Sequence, residues 1–424
     1  MTEVQISKKR IGLLVATMVM ACFTVICMTK YCFSSAMVFI VDEGYMSNFQ
    51  TGLISSAYWL VYAVFQFIGG VIADKWHPEK LIMIGLLSAS VASGLIYFCY
   101  TNYVLTLVIW MLNAMLQFGV WPSVFRILSA IFKGKALSVA MMIAALGTPS
   151  AIMLSYLVAA ITPRWQASFI IASVIIFTLA VAWFITVRLS GDYIESLHLT
   201  KNKRKDTLTV SDNGGDGAEM STARLIVISG LGFILLLSFL RALIAYMPSL
   251  VPSILASAYD EVTPSTSTLV ALIPLFCNLT GPIFSTYVST KVKNEILAAS
   301  IIFAVILPAG ALTLLLGRVS YWAIIAAMAV VAFGASASTF FVVTIIATKY
   351  NRWGKGATIA GFLNAFGAFG NVAASAVMTW IADNYSWRGS LLAMVIFVST
   401  ALILAITEIP IWVKFNKKYN TEVV

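Results

Sequence analysis

The sequence predicts an all-α membrane protein, with twelve transmembrane helices in two pseudo-symmetric six-helix bundles. Three observations carry that reading. Of 424 residues, 60% are hydrophobic and only 10% charged, with a mean hydropathy of +0.94; soluble domains carry about 25% charged residues. Apolar runs recur along the whole chain, each long enough to cross about 30 Å of hydrocarbon, and in lipid such a run satisfies its backbone groups only as a helix. The halves also repeat. KGKALSVAMMIAALG at 133–147 matches WGKGATIAGFLNAFG at 353–367 without a gap, PRWQAS at 163–168 loosely matches YSWRGS at 385–390, and acidic turns stand at Asp42–Glu43 and Asp260–Glu261.

In order, the expected spans are 11–40, 49–72, 81–100, 103–132, 137–161, 167–188, 223–254, 265–290, 296–316, 321–347, 356–381 and 390–413. The N-terminal MTEVQISKKR leads into the first span without a small-residue cleavage site, so it reads as a retained helix and not a signal peptide. Residues 191–222 are polar, charged and glycine-containing, the composition of a flexible linker. They separate an N-terminal bundle (1–190) from a C-terminal one (223–424). Twenty-one of the 27 Lys and Arg fall in segments on the side of the N-terminus, and three (Arg164, Arg318, Arg388) in the opposite turns. That asymmetry places both termini in the cytoplasm, and the short loops suit a bacterial inner membrane. It also accounts for the net charge of +10 without any nucleic-acid partner. The five cysteines lie within spans, with no CxxC or Cys/His spacing, so they read as reduced, buried thiols and no metal or other cofactor is expected.

Three basic residues remain inside spans: Lys30, Arg126 and Arg241. All 17 acidic residues lie in loops, tails or span ends, and only Glu408 reaches appreciably into a span, near the cytoplasmic end of the last one. No carboxylate is therefore expected near the midplane. A lone cation at a helix centre costs roughly 2.5–3.5 kcal/mol even on the lenient insertion scale. Lys30 and Arg241 sit deep in the first and seventh spans, the corresponding helices of the two halves. A water-filled cavity that receives a small anion accounts for both positions. Arg126 precedes Lys133 by seven residues, and either snorkelling to the surface or a substrate contact fits it.

Helical spacing supplies candidate walls for that cavity. Tyr58, Tyr62 and Gln66 share a face of the second span, Trp110, Asn113, Gln117 and Trp121 one of the fourth, and Asn364, Gly367, Asn371 and Ser375 one of the eleventh. Tyr62, Gln66 and Gln117 read as cavity lining ahead of helix–helix contacts; for Asn364 both readings stand.

The stretch GGVIADKWHPEK between the second and third spans resembles the cytoplasmic signature of major-facilitator proteins, with Gly70, Asp74, Lys75 and Lys80 matching it. In the second-half echo, YVSTKVKNE, Thr290 stands in place of the acid. More narrowly, FSSAMVFIVDEGYMSNFQTG, QFGVWPSVFR and ATIAGFLNAFGAFGNVAASA are similar to the organophosphate:phosphate antiporter family, over nearly the whole chain. The resemblance implies that Lys30 (usually arginine in the family) and Arg241 clamp a substrate phosphate and that Tyr62 lines the site. Two positions depart from the glycerol-phosphate carriers, which have lysine where Gln66 stands and histidine where Ala144 stands. Asp74 is poorly placed for the dipole of its own helix; it is expected to bond to the cytoplasmic N-terminus of the eleventh span and lock the outward-facing state, with Gly70, Lys75 and Lys80 completing that switch.

The expected function is alternating-access exchange of a phosphate ester for inorganic phosphate by a monomer in the bilayer. Transport of a carboxylate such as a sugar acid is the alternative, and a non-transporting sugar-phosphate sensor ranks below both. An enzyme is not expected, because no nucleophile or metal constellation lies within the spans and His77 and His198 fall in loops.

Overall fold

Twelve helical rods follow from the apolar runs in the computed structural model, which describes residues 3–132, 134–162, 164–195, 229–289, 291–292, 294–317, 320–350 and 356–419. In the first half α1 is Glu3–Asp42, α2 Asn48–Lys75 and α3 Pro78–Cys99. There α4 is Tyr103–Leu116 followed by Val120–Ile131, α5 is Gly134–Ile161 and α6 is Ala167–Leu189. In the second half α7 runs through Leu231–Tyr246, a 3₁₀ turn at Met247–Leu250 and Val251–Ala258, while α8 is Pro264–Val270 followed by Leu272–Ser289. Then come α9 (Glu295–Leu316), α10 (Tyr321–Thr339, a π-helical stretch Phe340–Ile345 and Ile346–Lys349), α11 (Gly356–Asn384) and α12 (Trp387–Tyr419). Eleven of the twelve are long and apolar enough to cross a membrane; the twelfth, α2, has 28 residues. The described residues contain no strand. Most of the expected linker lies outside them, and Gly191–Glu195 is helical.

The pairing of helices repeats between halves. α1 packs on α5 as α7 packs on α11, α3 on α6 as α9 on α12, and α2 on α4 as α8 on α10. The halves meet along α2–α11 and α5–α8, two pairs that exchange places when the halves are interchanged. The end of the bundle bearing the 43–47 turn, which the charge distribution assigns to the outside, is called the outer end below.

Three spans expected as continuous helices are interrupted at prolines, and a fourth, α10, passes into the π-helical stretch without one. Pro122 has no N–H for the Phe118 carbonyl, and α4 opens at residues 117–119; Pro274 does the same to Val270 in α8, and in α7 Pro248 lies within the 3₁₀ turn and Pro252 just after it. α2 starts at a capping box, in which the Gln50 N–H donates to Ser47 Oγ (3.2 Å) and the Ser47 N–H to Gln50 Oε1 (2.9 Å).

Two acids at the ends of the expected spans are buried. Glu295, at the start of α9, pairs with Lys349 at 3.1 Å and accepts a 2.9 Å bond from Trp412 Nε1. Glu408 is also buried, and its carboxylate lies against Gly230, whose φ of +67° and lack of a Cβ leave the space it occupies. All five cysteines are free.

Candidate functional site

Lys30 lies 12 residues inward of Asp42 on α1, about 18 Å by helical rise. Its ammonium stands 3.9 Å from the centre of the Tyr62 ring, a cation–π contact worth about 0.5–2 kcal/mol. Tyr62 is itself held by Gln66, whose Nε2 donates to the phenol oxygen at 2.7 Å. Tyr58, one turn outward on α2, stacks on Tyr62 with ring centres 6.2 Å apart. Lys30, Tyr62 and Gln66 thus form one group on the facing sides of α1 and α2.

Arg241 supplies the cation of the second half. It is 7% exposed, and its Nη1 donates to Thr339 Oγ1 of α10 while Nη2 donates to Ser238 Oγ at 3.4 Å. Among the described residues neither Lys30 nor Arg241 has a carboxylate partner. Each cation is therefore held by neutral groups among the described residues.

Two predicted site residues stand elsewhere. Gln117 is 1% exposed and is consumed between helices: it accepts from Tyr58 OH at 2.9 Å and donates to Asn113 Oδ1 at 2.8 Å. It ties α4 to α2 at the break in α4 and does not line the cavity. Arg126 donates to the carbonyl of Trp76 at 2.7 Å, and Trp76 lies 14 residues beyond Tyr62, about 20 Å along α2. Arg126 therefore belongs to the end of the bundle opposite the outer end, not to the Lys30 group. Asn364 is half-buried on α11, one turn from Gly367. Lys80 is exposed in the first turn of α3, whereas the side chains of Gly70, Asp74 and Lys75, and with them the expected lock, lie outside the described residues.

Outward of the two cations the halves are joined. Ser56 of α2 donates to the Val372 carbonyl of α11 and accepts from Ser375 Oγ at 3.1 Å. Tyr156 of α5 donates to the Ser249 carbonyl of α7 at 2.6 Å. Asp383, at the end of α11, accepts from Asn48 Nδ2 at 2.8 Å and from the Phe49 N–H at 2.7 Å. The buried Tyr246 hydroxyl lies among these contacts, beside the hydroxyls of Ser34, Ser55 and Ser375. Nearer the opposite end, the Thr286 hydroxyl of α8 stands 3.9 Å from the Met142 sulfur of α5. Sequence reasoning passed over Ser238, Thr339 and Asp383. Ser and Thr in apolar helices carry no distinctive pattern, and Asp383 looks like any span-end acid.

Two six-helix halves with their inner faces apposed, and one unpaired cation on the first helix of each, are the architecture of a polytopic transporter. Residues 19–352 match the family model of the Major Facilitator Superfamily. The chain belongs to that superfamily. It is 28% identical over 102 residues to the "Membrane sensor protein UhpC" of Escherichia coli (strain K12), covering 24% of this chain and 23% of that protein. It is 27% identical over 154 residues to the "Hexuronate transporter" of Bacillus subtilis (strain 168), covering 36% of each. The matches thus span about a quarter to a third of these curated relatives. Among solved structures, a bacterial homologue of the human lysosomal transporter Spinster, inward-facing and unoccupied, superposes with a TM-score of 0.72 at 13% identity, covering 95% of this chain and 98% of that one. This last likeness concerns the fold.

Proposed function

We propose that this protein is a secondary transporter that exchanges a small organic anion, a phosphate ester, for inorganic phosphate across a bacterial inner membrane, with both termini cytoplasmic. The observation that carries the reading is the pair of cations on α1 and α7, each seated on neutral groups and lacking a carboxylate. Each half contributes one cation to a shared anion, Arg241 as a planar fork and Lys30 as a point charge. Binding draws the halves together and offsets the cost of two buried charges, so the loaded carrier rocks readily and the empty one reluctantly. That bias favours exchange over net flux. The bonds at the outer end support an assignment of this conformation as outward-closed.

A carboxylate substrate is the second reading. It is favoured by Gln66, which adds no third cation to the site, and by the similarity to a hexuronate transporter. The test uses purified protein in liposomes loaded with inorganic phosphate. Labelled phosphate uptake is measured, followed by competition with phosphate esters and sugar acids, with Lys30→Ala and Arg241→Ala as controls. Saturable exchange lost in both variants is the expected result. A folded preparation that exchanges no phosphate but exchanges a hexuronate overturns the first reading in favour of the second.

A further inference from the structure

The residues around Arg241 form a seat with a defined polarity. Ser238 Oγ spends its proton on the Leu363 carbonyl of α11 (2.8 Å), and Thr339 Oγ1 spends its own on the Ala335 carbonyl within α10 (2.7 Å). Both hydroxyls are thereby left with lone pairs to offer, and both accept from the guanidinium. Thr339 is the last α-helical residue before the π-helical stretch of α10, a rare geometry that recurs at functional sites. The third wall is bare backbone. A Cβ on Gly367 of α11 would lie 2.6 Å from Arg241 Nη2, and one on Gly370 would lie 2.4 Å from the Phe239 carbonyl. α11 therefore approaches α7 as closely as glycine allows on the side where the guanidinium rests.

We infer that Gly367 and Thr339 are positioning residues for anion recognition, fixing where Arg241 presents its charge without neutralising it. This inference rests on the reading of Arg241 as a substrate-binding residue. A neutral seat suits a strong anion, because an acidic partner would compete with it and a freely rotating arginine would have to be ordered on every cycle. A methyl group at 367 has to displace Nη2, since it cannot coexist with it at 2.6 Å. A valine at 339 keeps the shape of the side chain and removes the acceptor.

The experiment compares Gly367→Ala, Thr339→Val and Arg241→Lys, singly and in the pairs with Arg241→Lys. Exchange kinetics in proteoliposomes are measured with labelled inorganic phosphate, or with labelled glucuronate if that is what the wild-type protein exchanges. Gly367→Ala and Thr339→Val are each expected to raise KM about tenfold or more with the maximal rate within a factor of two. In the Arg241→Lys background, whose ammonium has no Nη2, Gly367→Ala is expected to add less than twofold. Such non-additivity is what a shared contact produces, and general damage to the bundle does not produce it. If Gly367→Ala fails to fold, Thr339→Val alone carries the test. Wild-type KM in a folded Thr339→Val or Gly367→Ala protein, alongside a raised KM in Arg241→Lys, overturns the seat and leaves the anion site standing. Unchanged KM in Arg241→Lys and in Arg241→Ala overturns the anion site itself, and exchange of neither probe by the folded wild type overturns both.

Discussion

Asp383 offers the sharpest test of how the outer end closes. It sits on α11 in the second half, yet it accepts from Asn48 Nδ2 and the Phe49 N–H in the first turn of α2 in the other half, at 2.8 and 2.7 Å. It thus supplements the Ser47 cap with a negative charge at a helix N-terminus, where the dipole favours it. A hydrogen bond to a charged group contributes roughly 1.5–3 kcal/mol when shielded, but Asp383 is exposed and water competes, so the pair together is worth about 1 kcal/mol. Because the contact crosses between halves, opening the outer end breaks it. Removing it therefore multiplies the outward-open to outward-closed ratio by about fivefold. The measurement is a distance distribution between spin labels at D42C and D260C, two exposed outer-end positions, in a C99S/C277S background. Asp383→Ala is expected to enlarge the long-distance population, with Asp383→Asn intermediate because its amide oxygen still accepts from Phe49. Identical distributions in wild type and Asp383→Ala, with and without substrate, would refute the latch.

Three further outcomes follow from the packing. A Cβ on Gly52 would lie 2.5 Å from the Ser375 carbonyl and clash with Thr379 Oγ1, so Gly52→Leu should prop α2 off α11 and favour the outward-open state in the same label experiment. Lys349→Met strands the buried Glu295, a change that typically costs about 3–5 kcal/mol; it should lower the apparent Tm in detergent by several degrees, and the additional change Glu295→Gln should recover much of the loss. Arg126→Ala removes a bond to the Trp76 carbonyl at the end opposite the outer one and should leave the exchange KM within twofold of wild type, in contrast to Arg241→Ala.

The fold was legible in the sequence because its causes are local and repeated: apolar runs of membrane length, polar turns and a motif occurring twice. The prolines at 122, 248, 252 and 274 were equally visible, but so were those at 149, 282, 308 and 410, which sit inside continuous helices; which proline interrupts a span depends on packing that frees or fills the abandoned carbonyl. Lys30 and Arg241 stood out because a cation among apolar residues has few bland explanations. Gln117 and Arg126 show the limit of that logic. A polar residue on a helix face is drawn equally to a cavity and to a neighbouring helix, and only the position of Tyr58 or of the Trp76 carbonyl decides. Glu295 was misplaced for a related reason: span ends look solvent-exposed in sequence, yet Trp412 from the last helix and Lys349 from α10 both bond to it. The neutral seat of Arg241 had no sequence signal, since serine, threonine and glycine acquire that role only through three helices from distant parts of the chain.

The two uncompensated cations also have an electrical consequence. Crossing a membrane potential costs or returns about 2.3 kcal/mol per unit charge per 100 mV. A carrier holding Lys30, Arg241 and a phosphate dianion presents no net charge to that field, so its loaded step is blind to voltage and a dianion-for-dianion exchange moves no current. With a carboxylate bound, one positive charge is left over on the moving element, and the potential then biases which way the loaded carrier faces. Equal-charge exchange of either kind is electroneutral over a full cycle, so it is the voltage dependence of the exchange rate, not a steady current, that reports the charge on the cargo without the cargo having to be identified.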